Sequence, residues 1–207
     1  SLILYHWAIK CIKLNQQSIP VDEKNNLRQH FLTIRKQLDS TMVEALSKKI
    51  QNQFSLQWNF SRKNISCFLP MVKNKEVNTF YLLEDLGKSN SLWVPVTDFE
   101  KGTMEHVSFT KNTRLMENRY GIPEPIEREN TINPIALDVI IIPLLAADSK
   151  GNRLGYGKGF YDRLLGNCSP ETLRIGLSFF EPTEVLPNNE ADEKLHFLVT
   201  PKRTISF

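Results

Sequence analysis

The stretch that most limits the fold is LDVIIIPLL, from Leu137 to Leu145. A strand with one wet face alternates apolar and polar residues. An unbroken, largely β-branched run must be covered on both faces, as happens in a parallel sheet flanked by helices. Other short apolar runs supply candidate neighbours: NISCFLP (64–70), ended by Pro70; LWVPV (92–96); LRIGLSF (173–179); and HFLVT (196–200). HVSF (106–109) alternates and reads as a more exposed strand.

Helical patterns fall between these runs. Leu27, Phe31, Ile34 and Leu38 recur at helical spacing, which predicts a helix over 21–38. TMVE, from Thr41 to Glu44, has the form of a capping box and predicts a second helix carrying Val43, Leu46 and Ile50. Thr79 is placed to cap a helix through YLLEDL that Gly87 closes. A further helix is expected from Phe160 to Leu165. GIPEPIERENTINP (121–134) reads as a proline-rich loop inside a domain. Strands alternating with helices define an α/β class with a mostly parallel central sheet. The expected organisation is an extension over 1–20 followed by one domain over 21–207.

With 207 residues and a 41% apolar share, the chain can bury a full core. Lys and Arg exceed Asp and Glu by only 3, too small a surplus to argue for a nucleic-acid partner. Cys11, Cys67 and Cys168 form no CxxC pair. They provide neither a disulfide framework nor a zinc site, and a reducing, cytoplasmic setting is expected. The apolar opening, SLILYHWAIKCIKL, is interrupted by Lys10 and Lys13 and falls short of the ~20 residues of a membrane span.

RLGYGKGFYDR, from Arg153 to Arg163, carries the chemistry. Alternating glycines let backbone N–H groups approach an anion, and Arg153 and Lys158 bring charge. The phosphate-loop pattern GxxxxGK[ST] fails, because Gly159 follows Lys158 and Asn152 stands where the first glycine should be. The dinucleotide pattern GxGxxG fails as well: the spacing is GxGxG, and a long loop separates it from the strand. Asp162, in the first turn of the following helix, could hold Mg²⁺ against phosphate oxygens. The first helix adds a basic stripe. Lys24, Arg28 and Arg35 lie within about 40° of one another on a helical wheel. Apolar residues bound the stripe on both sides, so it is expected to face a cleft.

IIIPLLAADSKGNRLGYGKGFYDRLL resembles the signature of the 5-formyltetrahydrofolate cyclo-ligase (methenyltetrahydrofolate synthetase) family, an apolar strand ending in Pro, a segment closing in Asp, then GxRLGxGxGYYDR. The resemblance runs from Lys24 to the C-terminus. KNNLR (24–28) matches the family's KxxLR start, FLPMVKNKEVNT its E-V-[DN]-T element, GIPEP its GIxEP, and NNEADEKLHFLVT the stretch with an Asp before the last strand. Leu144 replaces a common Gly, Ala147 a usual Phe, and Phe160 the commoner Tyr.

The resemblance implies a three-layer α/β/α, Rossmann-like fold of the cyclo-ligase and CoA-transferase type. It implies a monomeric, cytoplasmic ligase without nucleic-acid or membrane partners. ATP, with Mg²⁺, would phosphorylate the formyl oxygen of 5-formyltetrahydrofolate. The folate's anilino nitrogen would then attack the activated carbon, releasing phosphate beside ADP and forming 5,10-methenyltetrahydrofolate. Lys24, Arg28 and the loop from Arg153 through Leu154, Gly155, Tyr156, Gly157, Lys158, Gly159 and Phe160 to Tyr161 would bind ATP. Lys158, Arg153 and Tyr161 would be the catalytic residues, and Asp162 and Asp192 would hold the metal. Met71, Glu76, Glu124, Tyr156 and Phe160 would contact the folate. Arg35 is a further candidate phosphate ligand, and Asp148 is expected to order its loop. Two other readings remain open. One is a sugar-phosphate isomerase or CoA-transferase-like enzyme using Glu124 as base or nucleophile. The other is a non-catalytic folate- or nucleotide-binding protein.

Overall fold

The computed structural model describes residues 21–189 and 192–207. The expected extension over 1–20, Cys11 included, lies outside the described residues. Among the described residues, four helices, α1 (Val21–Lys36), α2 (Ser40–Gln57), α3 (Phe80–Leu86) and α4 (Phe160–Leu165), surround an eight-stranded sheet. Its strands are β1 (Asn64–Cys67), β2 (Ser91–Asp98), β3 (Thr103–Phe109), β6 (Thr131–Ile132), β7 (Val139–Pro143), β10 (Leu173–Leu177), β11 (Phe197–Val199) and β12 (Thr204–Ser206). The order is β12-β11-β10-β7-β1-β2-β3-β6. From β11 to β2 every neighbouring pair is parallel, and the outer strands β12, β3 and β6 join antiparallel.

The two-faced burial read from VIIIP is observed residue by residue. Val139 and Ile141 enter a core with Val43, Ile50 and Phe54 of α2 and Leu82, Leu83 and Leu86 of α3. Ile140 and Ile142 enter a second core with Leu164 and Leu165 of α4 and Leu198 of β11. A third, smaller cluster joins Leu27 and Phe31 of α1 to Leu145, Ala146, Leu154 and Leu186. The architecture is the expected three-layer α/β/α sandwich. From β1 the chain passes through α3 to β2 on one side, then returns to β7 on the other and continues to β10. This reversal makes the space beyond the C-terminal ends of β1 and β7 a topological switch point, where open α/β sheets bind ligands.

Several local expectations are corrected. The cap of α2 is Asp39, whose carboxylate accepts from Met42 N–H at 2.7 Å, and not Thr41. The helix already begins at Ser40, so Glu44 is free to bond Asn78 and Tyr81 instead. Thr79 does not cap α3: its buried hydroxyl donates to the Phe68 carbonyl at 2.7 Å, and Asn78 receives the Phe80 N–H. The 106–109 strand begins three residues earlier, at Thr103, and buries His106 and Val107 because β6 covers its outer edge. The proline-rich loop contains β5 (Pro123–Pro125), paired with β4 (Leu115–Glu117), as well as β6. Prolines are tolerated there because a two-stranded ribbon has edges that need no N–H donor. A hairpin of β8 (Ala146–Ala147) and β9 (Arg153–Leu154) follows β7. Its turn is built on Asp148, fully buried, which accepts from Lys150 N–H, Asn152 N–H, the Asn152 amide and Leu186 N–H. Asp148 therefore orders the loop as expected. Leu144 and Ala147 both belong to the core beneath α4, where Leu144 packs into the space left by Gly176.

His106 is 1% exposed, and neither ring nitrogen has a hydrogen-bond partner among the described residues. Burial depresses its pKa to about 4 from the ordinary 6.5. The unfolded chain therefore binds a proton that the folded chain refuses between these values, and stability is lost as pH falls through that window. The shift corresponds to about 3 kcal/mol. His106→Leu should keep or raise neutral-pH stability and make the loss between pH 6.5 and 4 shallower, as read by urea unfolding across pH. Residual slope is expected from His196, whose pKa burial and Arg174 also lower.

Candidate functional site

One cavity of ≈ 430 Å³ opens at the switch point, within the usual size range of small-ligand sites. Phe68, Leu69 and Met71 reach it from the end of β1, Pro143 from the end of β7, and Pro95 and Thr97 from β2. Lys24 and Arg28 enter from α1, and the glycine loop from Arg153 to Asp162 forms a continuous wall.

The glycine loop is held through its carbonyls. Gly155 O accepts from Arg28 Nε at 3.0 Å, Lys158 O from Arg163 Nη2 at 3.0 Å, and Gly159 O from Arg163 N–H at 3.1 Å. Gly157 sits at φ +86°, and a Cβ there would lie 2.8 Å from the Arg28 guanidinium carbon. Glycine is thus required both by the backbone and by the close approach of a cation. α4 begins at Phe160 as expected but has six residues, so its dipole adds little. Positive charge at this wall comes instead from side chains.

Two of those side chains are already paired. Lys24 Nζ lies 2.5 Å from Asp192 Oδ2, and Arg153 Nη2 lies 2.6 Å from Asp162 Oδ1. The other terminal nitrogen of Arg153, Nη1, is buried without a hydrogen-bond partner among the described residues. A desolvated guanidinium donor beside a cavity suits an anionic or strongly polar ligand atom. Asp162 also accepts from Glu193 N–H through Oδ1, and Asp192 accepts from Asn189 N–H through Oδ2. Each carboxylate is bonded through one oxygen. Among the described residues no group of three or more His, Cys, Asp and Glu could hold a metal ion alone. Mg²⁺ does not require such a cage, since one or two carboxylates with substrate phosphates suffice, and the Asp162–Asp192 donor set fits it.

The cavity is also lined by a buried carboxyl group. Glu76 is 4% exposed; its Oε2 accepts from Met71 N–H at 2.7 Å and its Oε1 from the Tyr156 hydroxyl. Burial pushes the Glu76 pKa up, while the Arg35 charge, the Tyr156 hydroxyl and Met71 N–H oppose it. Burial, and then the Glu76 charge, drives the Tyr156 hydroxyl well above its ordinary range, and burial does the same to Tyr161. Both phenols stay protonated, so Tyr161 can serve as a hydroxyl donor but not as a base. Cys67 is equally inert, its thiol pushed up to about 12 by burial.

Two expectations about site residues fail. Glu124 lies outside the cavity lining. Its Oε1 accepts from Thr97 N–H and the Asn118 amide, and its Oε2 from Arg128. It ties β5 to β2 and has no geometry for a folate contact, nor for the base or nucleophile of an isomerase or CoA transferase. Arg35 is 4% exposed, lies outside the cavity lining, and bonds the Tyr156 hydroxyl and the Leu144 carbonyl. The helical wheel placed it on the stripe correctly, but the sheet end intervenes. Phe99 and Tyr120, absent from the sequence reading, also line the cavity. Their rings lie 4.0 Å apart, and Phe99 meets Phe160 edge-on at 5.3 Å. Only the β2–β3 hairpin and the turn before β5 bring them together, and nothing local signals this.

Residues 20–201 match the model of the 5-formyltetrahydrofolate cyclo-ligase family. The chain belongs to that family. It is 29% identical to the 5-formyltetrahydrofolate cyclo-ligase of Haemophilus influenzae over 179 residues, covering 84% of this chain and 95% of that one. Among solved structures it resembles the 5,10-methenyltetrahydrofolate synthetase of Aquifex aeolicus, with a TM-score of 0.74, 31% identity, and coverage of 88% and 92% of the two chains. The Mycoplasma pneumoniae synthetase, at 22% identity and a TM-score of 0.69 over 86% of this chain and 98% of that one, shares the fold. No helix of the described residues is long and apolar enough to cross a membrane.

Lys158 lines the cavity, is exposed, and has no ion-pair partner among the described residues. Lys158→Ala should lower kcat/KM by about a hundredfold while moving stability by no more than about 0.5 kcal/mol. Steady-state kinetics beside thermal unfolding checks both; equal losses would make Lys158 structural.

Proposed function

We propose that this chain cyclises 5-formyltetrahydrofolate to 5,10-methenyltetrahydrofolate, consuming ATP and releasing ADP and phosphate. The observation that carries the reading is a single cavity lined by four cations, Lys24, Arg28, Arg153 and Lys158, and by the buried carboxyl group of Glu76.

The chemistry requires little covalent participation by the protein. A formamide oxygen leaves poorly; as a phosphate ester it leaves well. Lys24, Arg28, Lys158 and the loop N–H groups bind the ATP phosphates and align the transferred group with the formyl oxygen. Arg153 Nη1, without a hydrogen-bond partner among the described residues, donates to the oxygen on which charge grows. Asp162 and Asp192 would hold Mg²⁺, which would neutralise phosphate charge. Glu76 accepts hydrogen bonds from the amino and N–H donors of the pterin, and Met71 packs beside it. Tyr156, Phe160, Phe99 and Tyr120 offer flat apolar faces to the folate rings. An apolar enclosure also keeps water from the activated formyl carbon until the anilino nitrogen has closed the ring.

Purified protein mixed with 5-formyltetrahydrofolate, ATP and Mg²⁺ should develop the near-ultraviolet absorbance of the methenyl product, and omission of ATP or Mg²⁺ should abolish it. Turnover without ATP would overturn the reading. Glu76→Gln should raise KM for the folate by about tenfold or more while changing KM for ATP little, because the lost carboxylate leaves pterin donors unpaired. The reverse pattern would reassign Glu76.

A further inference from the structure

Arg35, at the buried end of the α1 basic stripe, takes no part in the phosphate wall. We propose that it is a positioning residue that couples the glycine loop to Glu76: it holds the Tyr156 hydroxyl, which in turn holds Glu76. The proposal rests on the folate and ATP reading above.

Three contacts define the arrangement. Arg35 Nη1 donates to the Leu144 carbonyl at 3.2 Å, just past the end of β7. Arg35 Nη2 donates to the Tyr156 oxygen, with the guanidinium carbon 5.7 Å from the ring centroid. The Tyr156 hydroxyl donates to Glu76 Oε1. A phenol has one proton and two lone pairs. With Arg35 donating into a lone pair, the single Tyr156 proton is committed to Glu76, and the direction of the whole chain is set. The fork of an arginine is needed, because one rigid group must reach a carbonyl and a hydroxyl at once. The remaining nitrogen, Nε, is buried beside a cavity of ≈ 10 Å³ lined also by Ser178, large enough for one water molecule.

The groups acting on Glu76 are Arg35 from α1, Tyr156 from the glycine loop and Met71 N–H from its own loop. Tyr161 of α4 also feels the Glu76 charge. Arg35 is the cation among them. A carboxylate this deeply buried is costly to ionise unless it is paired and hydrogen-bonded. Arg35 and Tyr156 therefore do two things together. They favour the charged form of Glu76 and fix it for the pterin, and they fasten the glycine loop that faces ATP to the residue that faces folate. Displacement of the loop by nucleotide is then felt at Glu76 through a single hydroxyl.

A purely structural arginine would pin α1 to β7 and leave the ionisation of Glu76 alone. Side-chain ¹³C-labelled glutamate separates the two roles, with Glu76 identified by its missing signal in Glu76→Gln. In Arg35→Met, Glu76 should titrate about one pH unit or more higher than in the unaltered protein, because the nearby cation that favours its charged form is gone. Arg35→Lys should fall between. The acidic limb of kcat/KM for 5-formyltetrahydrofolate should move up in pH with it, and KM should rise more for folate than for ATP. If Arg35→Met does not fold, Tyr156→Phe carries the test, and a smaller upward shift is expected. Glu76 titrating at the same pH in the folded variants would overturn the proposal, as would equal increases in both KM values. The titration uses no substrate. An unaltered protein without cyclo-ligase turnover but with a shifted Glu76 would sink the functional reading alone; turnover with an unmoved Glu76 would sink this one alone.

Discussion

The burial of β7 on both faces is the constraint from which the rest follows. Val139 and Ile141 on one side, and Ile140 and Ile142 on the other, can all leave water only if helices cover both sides of the sheet. A strand so placed pairs in parallel with β1 and β10. Parallel pairing demands crossovers, and these carry α3 and α4 to opposite faces. The chain must then reverse its direction of travel between β1 and β7. The opening left beyond their C-terminal ends is where Met71, Glu76 and the glycine loop meet.

Electrostatic pairing organises that opening in two different ways. Along its wall, Lys24 with Asp192 and Arg153 with Asp162 are partly buried ion pairs that hold cation and carboxylate side by side. At its floor, Arg35, Tyr156 and Glu76 form a desolvated chain in which each member satisfies the next. Removing one member there leaves a buried charge or donor exposed to an apolar surrounding, so the floor is stiff. The glycine loop spans both regimes. Its carbonyls are anchored to Arg28 and Arg163, and its Tyr156 is anchored to the floor.

Much of this was legible in the residues. The strand VIIIP and the helix patterns of α1 and α2 follow from local chemistry and periodicity, and they were read correctly. The failures share a cause. Thr79, Glu124 and Arg35 each carry a polar group whose type suggests a role, but the partner that claims it comes from a distant segment: Phe68 for Thr79, Thr97 and Asn118 for Glu124, Leu144 and Tyr156 for Arg35. Phe99 and Tyr120 were missed for the same reason, since each stands in a turn with no pattern of its own.

The sequence by itself determined the class of fold, the parallel central strands, and the inventory of cations, carboxylates and glycines that a phosphate site needs. Periodicity and backbone chemistry act over a few residues, and a linear reading captures them. Only the tertiary structure decided which charged groups face the cavity and which are consumed by the protein. That choice depends on burial and on partners many tens of residues away. It made Glu124 a structural tie, took Arg35 out of the cavity lining, and placed Tyr156 between Arg35 and Glu76.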